Sequence, residues 1–257
     1  MLLAIDSGNT NIVFAVYDGQ TRRGEWRSSS DAKRTADEYG VWLTQLMGLE
    51  GLTRSDIDAG ILATVVPETL FSLRSLARKY FRCEAMVVGE DGVDLGVEVL
   101  LPTPEEVGAD RLVNAAAAHS RYGGPLIIID FGTATTFDVI DGDGNYFGGV
   151  ISPGINLSLD ALHAAAAKLP RIAVEKPKSV IGKRTVPAMM SGVYWGYVSL
   201  IEGLVARIKD EFGAPMQVVA TGGLAPLFAD ATETIQHLDP DLTLRGLAEI
   251  HRRNAKP

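Results

Sequence analysis

The chain has 257 residues, room for one large domain or two small ones. Its residues are 46% hydrophobic and 22% charged, without low-complexity tracts, which excludes extended disorder. A formal charge of -8 with no dense Lys/Arg cluster argues against duplex nucleic acid as a partner, and the single cysteine, Cys83, excludes an intramolecular disulfide. Cys83 reads as a small buried residue in a protein kept reduced. No apolar run approaches the roughly 20 residues needed to cross a bilayer, and Asp6 stands where a signal peptide would be apolar. A cytoplasmic protein that uses no membrane is expected.

The opening AIDSGNTNIVFAVYDG (4–19) reads as strand 2–5, polar turn 6–11, strand 12–16 and a second turn at Asp18-Gly19. A helix over 36–49 has Thr35 and Glu38 at capping-box spacing and Tyr39, Trp42, Leu46 and Leu49 as its apolar stripe. AGILATVV (59–66) is a buried-strand pattern, and Pro67 opens a helix through Leu70, Leu73, Leu76 and Ala77; a short strand follows at 85–88. Thr103-Pro104-Glu105-Glu106 combines an N-cap threonine, a first-turn proline and a glutamate three residues on, so a helix is expected from there to about His119. LIIIDFGTATTFDVIDG (126–142) repeats strand, loop and strand. A helix over 152–169, a basic loop over 170–184 and a long helix ending near Gly213 come next, then a strand in MQVVATGG (216–223) and a helix over 240–253. The alternation reads as α/β, with domains at 1–122 and 123–257 divided near Gly123-Gly124, the last helix being able to pack back on the first domain.

Aligning Asp6 with Asp130 also matches Ile5 with Ile129 and Gly8 with Gly132, at a separation close to half the chain. An aspartate at a strand end, followed by glycine and small polar residues, offers backbone N–H groups to an anion without a Cβ in the way. Two such loops facing each other make a phosphate clamp, with the carboxylates holding a cation against the phosphates; two ordinary hairpin turns are the alternative. Other nucleotide and metal signatures fail. Gly182-Lys183-Arg184-Thr185 has Pro177 where a P-loop needs its first glycine, and DGDGNY (141–146) has Tyr146 and Ser152 where an EF-hand needs glycine and glutamate. A hairpin turn suits 141–146 better. His119, His163, His237 and His251 lack metal-ligand spacing. In Gly108-Ala109-Asp110-Arg111, helical spacing puts Asp110 on a face with Asn114 and leaves Leu112, Val113 and Ala116 to the core. Asp110 is either a surface ion pair or a general base for phosphoryl transfer.

DSGNTN (6–11), EEVGADR (105–111), DFGTATT (130–136), GGVISPGI (148–155) and TGGL (221–224), in this order, resemble the motifs of type III pantothenate kinases over essentially the whole chain. The resemblance implies two ribonuclease H-like domains of the acetate and sugar kinase, Hsp70 and actin superfamily, with mixed sheets flanked by helices and a nucleotide cleft between them. It implies ATP-dependent phosphorylation of pantothenate to 4'-phosphopantothenate, the first step towards coenzyme A, by a homodimer. Carried over, Asp6, Ser7, Gly8, Asn9, Thr10 and Asn11 hold ATP phosphates, with Mg²⁺ at Asp6. Asp130 holds a monovalent cation, K⁺ or NH₄⁺; Gly132 and Thr133 contact ATP, and Gly222 and Gly223 lie by the adenosine. Gly108, Ala109, Asp110 and Arg111 contact pantothenate with Asp110 as proton acceptor, and Leu101 and Thr185 contact the same substrate. Leu101 stands at or beside a position that is commonly aromatic, Met190 where glutamine is common, and Arg184 where a small or amide residue is common; these bear on the finer pantothenate contacts. A regulatory relative acting as a transcription accessory factor, or another small-molecule phosphotransferase of the same fold, are the competing readings. Asp6, Asp110 and Asp130, all present, favour the kinase.

Overall fold

Leu2, Leu3, Ala4 and Ile5 are all buried, because the strand they begin is paired on both edges and covered on both faces. The computed structural model describes residues 1–165 and 169–255, and the chain divides into two compact units, Met1–Ser120 with Asp241–Pro257, and Arg121–Pro240. The strands are β1 Leu2–Ser7, β2 Asn11–Asp18, β3 Thr21–Ser29, β4 Ala59–Thr64, β5 Ala85–Val87, β6 Leu126–Phe131, β7 Ala134–Ile140, β8 Tyr146–Pro153, β9 Gln217–Gly222 and β10 His237–Leu238. The helices are α1 Ala36–Leu49, α2 Pro67–Leu76, α3 Ala109–Tyr122, α4 Ile155–Ala165, α5 Thr185–Phe212, α6 Ala225–Ala229 and α7 Leu242–Asn254.

Each unit builds a mixed sheet of five strands, in the order β3-β2-β1-β4-β5 in the first and β8-β7-β6-β9-β10 in the second. In both, a three-strand antiparallel meander is extended by two parallel strands. The repeat goes deeper than the loops. Beyond the loop the match resumes one residue out of step, pairing Phe14 with Phe137, Val16 with Val139, Asp18 with Asp141 and Gly19 with Gly142. Both sheets also carry a register irregularity at the same point of the meander, after Val16 and after Val139.

Strand alternation divides the first core. Leu3, Ile5, Ile12 and Phe14 pack with Tyr39, Leu43 and Met47 of α1 and Leu73 and Leu76 of α2; Leu2, Ala4, Val13 and Ala15 pack with Val113 of α3 and Leu244, Leu247 and Ile250 of α7. The second core sets Ile127, Ile129, Phe131, Phe137 and Val139 against Tyr194, Tyr197, Val198, Ile201 and Val205 of α5. A capping box at Thr35 and Glu38 starts α1, with Glu38 Oε2 accepting the Thr35 N–H at 2.8 Å.

Several sequence expectations are corrected. β1 continues through Asp6 to Ser7, both paired with β2 and β4, and β2 begins at Asn11, which pairs with Ser29 of β3, so the ladders hold these polar ends. The buried stripe of α1 is Tyr39, Leu43 and Met47, whereas Leu49 is 82% exposed. No helix starts at Thr103: residues 104–106 form one 3-10 turn without a side-chain cap, Val107 is extended and buried, and α3 begins at Ala109. α4 starts at Ile155 because Ser152 and Pro153 belong to β8; of the expected 152–169 helix, 166–168 lie outside the described residues. Asn114 is fully buried and accepts the Thr243 hydroxyl at 2.7 Å, so it ties α3 to α7 instead of sharing an open face with Asp110. The expected turn at 141–146 is present, Asp141 Oδ1 accepting the backbone N–H of Asp143 and Asn145. No helix among the described residues is long and apolar enough to cross a membrane.

Candidate active site

The first loop is set by β1 and β2. Gly8 N–H donates to Asn11 O at 3.0 Å, and a Cβ on Gly8 would lie 3.3 Å from that same oxygen. Asn9, Thr10 and Asn11 are exposed, and Ser30 N–H donates to Thr10 O at 2.9 Å, anchoring the loop to the end of β3. Asp6 is half-buried. Ser7 is fully buried and its hydroxyl is 2.9 Å from that of Thr69, which in turn bonds Val66 O in the first turn of α2, so its side chain is turned inward.

Beside this loop lies the segment carrying Asp110. Val65 N–H donates to Ser7 O at 3.1 Å, and a Cβ on Gly108 would sit 3.4 Å from Val65 Cγ1, so the structure brings 6–8 and 108–110 to one end of the β1–β4 pair. The half-buried Asp110 carboxylate folds back over Gly108, where a Cβ would approach Oδ1 to 2.7 Å, and Oδ1 accepts the Arg111 N–H at 2.8 Å. Burial pushes the Asp110 carboxyl above its usual range, against the opposing effects of the Arg111 N–H and guanidinium charge. Leu101 is half-buried in the connection between β5 and α3.

In the second unit, Gly132 N–H donates to Ala134 O at 3.0 Å, closing a loop one residue shorter than the first, with Gly132 and Thr133 exposed. Thr133 O accepts the N–H of Gly154 at 3.0 Å, and a Cβ on Gly154 would come within 2.2 Å of that oxygen. Gly154 therefore has to be glycine for α4 to start beneath the loop. Tyr197 of α5 adds a second tie, its hydroxyl lying 2.7 Å from Thr135 Oγ1 and donating to Pro153 O at 2.8 Å. Neither Gly154 nor Tyr197 was among the residues expected at the site, although Gly154 lies in GGVISPGI; their role is to position backbone, which no residue-type pattern announces. Gly222, at φ +90°, lies against Asp130: a Cβ there would meet Asp130 Oδ1 at 2.6 Å and Phe131 backbone at 2.7 Å. Gly223 follows and is exposed. Thr185 is the exposed first residue of α5, behind the extended Arg184; Gly182 packs on the same turn, and Met190 is half-buried further along the helix. Among the described residues no three His, Cys, Asp or Glu side chains come together as a metal cage.

Two sheets of one strand order, each with an aspartate and a glycine loop at the end of its central strand, define the fold of actin-like ATPases and sugar kinases. Solved structures share it: the activator of 2-hydroxyisocaproyl-CoA dehydratase from Clostridium difficile with bound ADPNP (TM-score 0.55, 14% identity, 100% of this chain and 98% of that one) is one such neighbour. A Campylobacter jejuni protein described as a Baf family transcriptional activator is another, at TM-score 0.59 and 18% identity over 98% of both chains; at that identity the likeness concerns the fold alone. Within that class, the family described as type III pantothenate kinase matches residues 2–207, and the chain belongs to it. It is 72% identical to the type III pantothenate kinase of Paramagnetospirillum magneticum over 100% of this chain and 99% of the relative. It is 69% identical to that of Rhodospirillum rubrum over 99% of both.

Proposed function

We infer that this chain transfers the γ-phosphoryl group of ATP to the primary hydroxyl of pantothenate, giving 4'-phosphopantothenate in the first step of coenzyme A biosynthesis. The observation that carries the reading is the half-buried Asp110, held with a raised pKa next to the loop that follows Asp6. A carboxylate accepts a proton better as its pKa approaches the working pH, so Asp110 can take the hydroxyl proton as the oxygen attacks phosphorus. Gly108, Ala109 and Arg111 line the same segment and contact pantothenate with it, joined by Leu101 and Thr185. The backbone and exposed side chains of 8–11, with Ser7 acting through its backbone, hold ATP phosphates, as do Gly132 and Thr133, and Gly222-Gly223 lie by the adenosine. Phosphoryl transfer demands alignment and charge stabilisation more than covalent chemistry, which fixed backbone loops supply.

The donor sets fit the cations the family reading calls for. Mg²⁺ takes one or two carboxylates with substrate phosphates, which Asp6 beside the first loop can provide, and Asp130, flanked in its sheet by Thr136 and Thr221, offers an all-oxygen setting for K⁺ or NH₄⁺. When bound, these cations neutralise charge on the phosphates. On this reading the enzyme works in the cytoplasm as a homodimer, without nucleic-acid or membrane partners. The reading is tested by incubating the purified chain with pantothenate, ATP, Mg²⁺ and K⁺ and identifying the product by mass spectrometry. Phosphopantothenate formed in step with ADP is expected; folded protein that makes none overturns it.

A further inference from the structure

The two units differ in the row across the sheet that holds the aspartate. Through Asp6 the row reads Val13, Asp6, Ala63; through Asp130 the matching row reads Thr136, Asp130, Thr221. Directly opposed residues share a face, with Cβ atoms about 4.5–5.5 Å apart in antiparallel pairs, so Asp130 has a hydroxyl-bearing residue on either side where Asp6 has apolar ones. Two residues further along the meander strand, the first unit has Ala15 and the second has Asp138.

Asp138 is fully buried, an unfavourable place for a carboxylate, and Ala15 shows that the strand order does not require one there. Its Oδ1 accepts the Tyr146 hydroxyl at 2.7 Å and its Oδ2 accepts the Thr136 hydroxyl at 3.2 Å. A threonine hydroxyl has one proton and two lone pairs. With that proton given to Asp138, Thr136 faces its neighbours as an acceptor only. Without Asp138 the hydroxyl could turn and donate to Asp130, occupying lone pairs that a cation needs.

We propose that Asp138, steadied by Tyr146, is a positioning residue that keeps Thr136 an acceptor-only oxygen beside Asp130, and that Thr136 and Asp138 together set the affinity of the second loop for a small monovalent cation. The proposal rests on the reading of Asp130 as the cation-holding residue. It also accounts for the asymmetry: both loops can face phosphate, but only the row through Asp130 is lined with oxygen.

The test is thermal melting of the full chain in KCl against tetramethylammonium chloride at equal ionic strength, for wild type, Asp138→Asn and Thr136→Val. Thr136→Val copies Val13 of the first unit, so the fold has a precedent for it. Wild type is expected to show saturable stabilisation by K⁺, and both variants to need about tenfold more K⁺ for the same half-effect, the scale of losing a group that orients a ligand. The K⁺ activation constant of phosphorylation should rise by the same factor while KM for pantothenate holds. Should Asp138→Asn fail to fold, Thr136→Val decides alone. A K⁺ half-effect within about twofold of wild type in folded Asp138→Asn, or in folded Thr136→Val, overturns the proposal. Wild type that melts identically in both salts overturns the assignment of Asp130, and this proposal with it.

Discussion

At Asp110 the chain accepts a local destabilisation. Burial raises the folded-state pKa above that of the unfolded chain, so between the ordinary carboxylate value and the raised one the folded state binds more protons. Stability then falls as pH rises through that window, and the unfavourable contribution is fully present above it. Asp110→Asn removes the ionisation while keeping the shape. The variant should melt at the same temperature as wild type below the ordinary carboxylate pKa and at a higher temperature at neutral pH, read by calorimetry across the pH series. A lower melting temperature at neutral pH would mean that the carboxylate is stabilising, contrary to this account. The same residue could be placed in GADR from sequence, but not its burial, since its carboxylate folds back over Gly108 and Gly108 in turn packs beside Val65, which belongs to a segment more than 40 residues away.

Among the elements, the glycine turns give the sharpest contrast. Gly222→Ala puts a Cβ 2.6 Å from Asp130 Oδ1 and 2.7 Å from Phe131 backbone at φ +90°, and should cost about 2–4 kcal/mol in urea unfolding. Gly223→Ala meets nothing within 4 Å and should stay within about 0.5 kcal/mol of wild type. Equal effects of the two would contradict the packing described. Both glycines were visible in TGGL; which one is crowded was not. The meander strands were partly hidden for a similar reason. β3, TRRGEWRSS, is an edge strand whose mostly exposed polar residues carry no apolar alternation, with Trp26 the side chain that reaches the core. The turn at 103–106 misled in the other direction: four residues with good capping chemistry were outweighed by burial of Val107, which needs extended backbone.

For the whole molecule, the repeat of Asp6 in Asp130 disclosed a duplicated fold, and the second loop's missing residue concealed how far the duplication runs. With one residue skipped, the F-x-V-x-D-G pattern of β2 reappears in β7, and the irregularities after Val16 and Val139 fall into register. What alignment alone does not disclose is where the copies diverge, because Val13 against Thr136 and Ala15 against Asp138 gain meaning only from their places beside the two aspartates. The strands repeat while their polar residues are divided, with Asp110, proposed above as the proton acceptor, on α3 of the first unit and the oxygen-lined row in the second. The most direct measurement of the central claim is turnover by Asp110→Asn under saturating ATP, Mg²⁺, K⁺ and pantothenate, with nucleotide binding measured on the same preparation. Loss of kcat by about 10²–10⁴-fold with nucleotide affinity retained is the expected result, and turnover within a few-fold of wild type would contradict Asp110 as the group that receives the proton.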